Sequence, residues 1–113
     1  MPFTKEDVEI LAYRRYKCKE DYEQSVWYLA ELCCIINKNV KNAEQVKPLE
    51  TDNLILLLRD DVDGKIIMPT KDEITILAEN IYHEHPESSK LHWFIAEKTL
   101  LLEEIKQLLN RKN

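Results

Sequence analysis

Trp27-Tyr-Leu-Ala-Glu31 returns 66 positions later as Trp93-Phe-Ile-Ala-Glu97, and these are the only two tryptophans in 113 residues. Laying residue n over residue n+66 needs no gap from Thr4 to Glu31. Nine of those 28 pairs are identical: Thr4/Thr70, Lys5/Lys71, Ile10/Ile76, Leu11/Leu77, Ala12/Ala78, Tyr16/Tyr82, Trp27/Trp93, Ala30/Ala96 and Glu31/Glu97. Five more keep their character, Val8/Ile74 and Tyr28/Phe94 among them. A match at one fixed offset is the mark of a duplicated structural unit. The chain therefore has to fold as two related halves.

Each half opens like a helix. Thr70 and Glu73 are spaced as a capping box, in which hydroxyl and carboxylate satisfy each other's backbone N–H, and Thr4 with Asp7 is its shorter-armed form. Behind these caps Val8, Leu11, Ala12 and Arg15/Tyr16 make one stripe at helical spacing, as do Ile74, Leu77, Ala78 and Tyr82. A polar stretch follows in both copies, with Asp21 a plausible N-cap in the first and Ser88 or Ser89 in the second. Trp27, Ala30 and Cys34 then share a face, matched by Trp93, Ala96 and Leu100 and extended by Ile105, Leu108 and Leu109. The spacing predicts helices near 4–18, 22–38, 70–83 and 89–110. A small Ala one turn after each Trp lets a neighbouring helix come close.

One hairpin buries too little to be stable. The expected fold is all-α, two tandem hairpins packed as a pseudo-twofold four-helix bundle, each Trp anchoring its hairpin against the partner helix. The whole chain reads as a single domain: repeat one 1–39, connector 40–67, repeat two 68–113. Within the connector, residues 51–67 fit either a short helix stopped by Gly64 or a small hairpin turning at Asp63-Gly64, and scarce β-branched residues in Leu54–Leu58 favour the helix.

The pattern Ala-Tyr-x-x-Tyr, a polar loop, then Trp-x-x-Ala-Glu resembles a small bacterial helix–loop–helix domain family of unknown function. Copy one carries it at Ala12, Tyr13, Tyr16, Trp27, Ala30 and Glu31, and copy two at Ala78, Tyr82, Trp93, Ala96 and Glu97, with Glu79 in place of the second Tyr. Tyr28 and Phe94 stand where that family has Leu, and neither copy has the glycine common in its loop. The resemblance implies a fold and no activity.

Composition narrows the setting. With 44% apolar and 33% charged residues the chain is globular, and its net charge of −5 gives no general attraction to nucleic acid or anionic membrane. Three cysteines, two of them adjacent, are not a disulfide framework and fit a reducing cytoplasm. The acidic start lacks the features of a signal peptide, and the longest aliphatic run, Leu54–Leu58, is far too short to span a membrane.

Candidate chemistry is sparse. Glu31 and Glu97 are the only strictly repeated acids, but the Glu-x-x-His of carboxylate-bridged bundles is absent. His83, His85 and His92, with Cys18, Cys33 and Cys34, supply zinc-type ligands in no zinc-type spacing. A calcium loop registered on Gly64 puts Arg59 and Thr70 where carboxylates are needed. Tyr13–Lys19 is basic and aromatic, a pattern nucleic-acid backbones attract, although cations also suit the last turn of a helix. No cofactor or catalytic motif is indicated.

The function expected is a non-catalytic protein-interaction module, an adaptor or inhibitor. Partner contacts are assigned to Tyr13, Arg14, Arg15, Lys17 and Lys19, where the copies differ most, and the partner is another protein or a second copy of the chain. The alternatives are a metal-binding or enzymatic bundle using Glu31, Glu97 and the histidines, and a nucleic-acid-associated protein using the basic stretch.

Overall fold

A computed structural model describes residues 4–17, 21–39 and 66–112. It holds four helices, α1 (Lys5–Lys17), α2 (Tyr22–Asn39), α3 (Lys71–Glu84) and α4 (Ser88–Lys112), with no strand among the described residues. Each lies within about two residues of its expected span. Residues 40–65 are outside the described residues, and with them the helix-or-hairpin choice for the connector, as are Cys18, Lys19 and the side chain of Tyr16.

The starts are capped as the spacing requires. The Glu73 N–H donates to Thr70 Oγ1 at 3.2 Å and the Thr70 N–H to Glu73 Oε1 at 3.0 Å, a complete capping box. At α1 the same reciprocal pair joins Thr4 and Asp7 at 2.8 and 3.2 Å. Asp21 caps α2, accepting from the Gln24 N–H at 2.7 Å. α3 stops at His85, whose φ of 48° is left-handed and whose N–H donates to the Tyr82 carbonyl. Glycine is the usual occupant of that position, because a Cβ is crowded there. Here a histidine takes it.

The helices pack in the order α1, α4, α2, α3. The two Trp-bearing helices form the central pair, α1 lies against α4, and α3 lies against α2. The first helix of each repeat therefore covers the second helix of the other repeat. A hairpin closed on its own Trp, the expected anchor, is replaced by this exchange. The reason is the width of each apolar face. α2 buries Val26, Leu29, Ala30, Leu32, Cys33, Ile35 and Ile36 and must be covered from two sides, whereas the outer helices each offer one narrow stripe.

Burial recurs through the 66-residue offset. Val8 and Ile74 are both buried, Ile10 and Ile76 are both exposed, and Ala30 and Ala96 are both fully enclosed. Trp27 and Trp93 are each half-buried at the margin of the core, short of the deep anchors expected of them.

The chain leaving the connector is fastened by one side chain. Asn39, fully buried at the end of α2, accepts from the Ile67 N–H at 2.8 Å. Its amide donates to the Ile67 carbonyl at 2.9 Å and to the Ile35 carbonyl at 2.7 Å. It pairs with Ile67 as a neighbouring strand would, and so sets where α3 begins.

Candidate interaction groove

α2 and α3 are in contact along their core sides and part above them, leaving an open groove of about 350 Å³. α2 contributes Glu23, Val26 and Trp27, which the helical period places on one side of its first turns. α3 contributes Thr75, Ala78, Glu79, Tyr82 and His83, a stripe at i, i+3, i+4, i+7 and i+8. Ala78 keeps the floor low because it ends at Cβ, and Trp27 and Tyr82 are the large aromatic members. Glu23 and Glu79 are both exposed and supply two carboxylates at the rim.

The end of the groove near the α3–α4 loop is braced by aromatic contacts. Tyr82 meets Tyr22 edge-on at 6.0 Å between ring centroids and lies 5.6 Å from His85. The Tyr22 hydroxyl donates to the Pro86 carbonyl at 2.6 Å. Burial, with a smaller contribution from Tyr82, raises the pKa of Tyr22. Tyr82 is thereby held in place although it is 44% exposed.

Thr75 and His83 add polar groups to the lining. The one hydroxyl besides Tyr82, that of Thr75, donates to the Lys71 carbonyl at 2.8 Å within its own helix. An apolar floor with aromatic walls and an acidic rim suits the binding of a side-chain row.

The expected contact residues are divided by the structure. Tyr13, Arg14 and Lys17 are exposed on α1, the Lys17 ammonium lying 5.1 Å over the Tyr13 ring. Arg15 is half-buried, its guanidinium 4.6 Å over the ring of Tyr28 on α2. It occupies the place that Ile81 fills in copy two, so its packing is internal and it leaves the exposed set. Lys19 lies outside the described residues.

The repeated acids are not brought together as a pair of equals. Glu31 is half-buried, while Glu97 is buried with the Lys98 ammonium 2.9 Å from its Oε1. The same Lys98 ammonium lies 5.7 Å from the centroid of the Phe94 ring. Copy one has Leu32 at that site, also buried. His83 and His85 are exposed and His92 is buried. Among the described residues no three His, Cys, Asp or Glu gather as metal ligands.

The groove itself was missed by sequence reasoning, although a signal existed. The contrast that singled out Tyr13 and Lys17 has Glu79 and His83 as its other members, and those two line the groove. Among the described residues no helix is long and apolar enough to cross a membrane. Comparison with protein-family models, with curated proteins and with solved structures finds no match.

Proposed function

We propose that the chain is a non-catalytic helical interaction module that works by seating a partner's side chains in the α2/α3 groove. The observation carrying this reading is the groove itself, with half-buried Trp27, exposed Tyr82 packed on Tyr22, and low Ala78 between two carboxylates. Aromatic side chains bury much area at little rotamer cost, which is why they dominate interface energetics. An adaptor or an inhibitor acting by occupation would use such a surface equally well.

The same proposal takes the chain as a tandem copy of the helix–loop–helix domain it resembles, the copies related by a pseudo-twofold axis between α2 and α4. The exchanged packing and the recurring burial pattern support that relation. A cytoplasmic setting accords with Cys33 and Cys34, both buried and neither in a disulfide.

The test is a selection of short helical peptides from a display library against the whole chain. Binders should lose at least tenfold in affinity when Tyr82→Ala or Ala78→Arg is introduced, in protein whose melting is preserved. Binders indifferent to both changes place the contact elsewhere and end this reading.

A further inference from the structure

We infer that the partner seated in the α2/α3 groove is a second copy of this chain, entering with the exposed face of its own α1. This rests on the groove reading above and names its occupant. Ile10 and Tyr13 are 56% and 59% exposed, and Arg14 and Lys17 are exposed beside them. Positions 10, 13, 14 and 17 are i, i+3, i+4 and i+7, one unbroken row along the helix. A row with that spacing is what a helix lays into an apolar groove.

Charge fits the two surfaces to each other. The row carries Arg14 and Lys17, and the groove rim carries Glu23 and Glu79, two cations meeting two carboxylates. The offset that relates the repeats places Ile76, Glu79, Asn80 and His83 on α3 where α1 has Ile10, Tyr13, Arg14 and Lys17. The two outer faces have thus diverged, α1 carrying an aromatic ring and two cations where α3 carries a carboxylate, an amide and a histidine. Each keeps an exposed isoleucine, Ile76 at 63%. Complementary divergence of this kind disfavours α1 against α1 and favours α1 against α3, since like charges opposed across a contact are repelled.

The geometry also sets the kind of assembly. α1 and α3 are the two end members of the packing order, and no packing joins them among the described residues. Each molecule therefore presents a row at one end and a groove at the other. Such a contact is heterologous, and it grows into a ring or an open string unless two molecules fill each other's grooves reciprocally.

The test is sedimentation of the full chain at low salt over a roughly hundredfold concentration range, where surface charges are least screened. The weight-average mass should rise at least twofold. Arg14→Glu with Lys17→Glu should hold the chain at monomer mass, and so should Glu23→Lys with Glu79→Lys, both variants keeping the helical circular dichroism of the parent. Mixed in equal amounts the two variants should associate again, because each acidic row then faces a basic groove and each basic row an acidic one. A parent that stays monomeric throughout overturns the inference. So does association that survives either reversal, or a mixture that remains monomeric. A monomeric parent, where a Trp93→Phe version with Trp27 as its one tryptophan still shifts its emission with an unrelated basic helical peptide, would overturn the self-contact alone and leave the groove reading standing.

Discussion

Replacing Asn39 by Ala removes three hydrogen bonds together and leaves the Ile67 N–H and carbonyl without their partner. A buried polar group left unpaired costs about 1–3 kcal/mol, and Ile67 is only half-buried, so the loss should be about 2–3 kcal/mol in denaturant unfolding. Asn39→Asp should cost at least as much at neutral pH, since a carboxylate would then face two carbonyl oxygens. A change of less than about 0.5 kcal/mol for the Ala variant would show that this clamp contributes little. None of this was legible in the sequence. An Asn near a helix end reads as an ordinary stop, and the repeat sets it opposite Ile105, also buried. Lys98 was hidden for a related reason. Lysine is expected outside, and only the fold shows its stem enclosed with the ammonium beside Glu97.

The start of α3 is also held by charge, which makes it sensitive to acid. Glu73 accepts from the Thr70 N–H, and its Oε1 is 3.0 Å from the Lys38 ammonium at the end of α2. The Thr70 N–H first, and Lys38 after it, hold the Glu73 carboxyl below the ordinary carboxylate range. The folded chain thus takes up this proton at lower pH than the unfolded chain does. The stabilisation is complete above the unfolded carboxylate's pKa and is lost as pH falls through the folded value. Melting of the parent and of Glu73→Gln, followed by circular dichroism from pH 7 to about 3, should show the parent more stable at neutral pH. The two should converge in acid, and parallel curves would exclude the carboxylate as the cause. At this scale the sequence was informative. Thr4, Asp21 and Thr70 stand at the helix starts they were assigned, because a cap is a local bargain between a side chain and the next turn. Which helix meets which is not local. The stripes on α1 and α3 say how much surface each must cover, and nothing in Val8 or Ile74 says whose. The candidate groove was legible only in part for the same reason, since Trp27 and Ala78 belong to different repeats.

Exchange between the repeats makes the whole molecule the unit of stability. Residues 1–39 alone hold α1 and α2, which are not packed as a close pair in the intact fold. As an isolated peptide they should show no cooperative melting when dilute. When concentrated they should fold only as a dimer, each α1 lying on the other chain's α2, with a melting midpoint that rises with concentration. A concentration-independent, cooperative melt of the monomeric peptide would contradict the exchange. The packing order has a further consequence during synthesis. Of the four helices α1 is made first, and α4, the surface it covers, is made last. At ordinary elongation rates that interval is on the order of ten seconds. Throughout it Val8 and Leu11 lack the helix they cover in the finished fold, while every nascent chain on the same message carries the same stripe. α1 cannot take its place in this fold until α4 has been made, and until then the safety of its apolar stripe depends on whatever shields it.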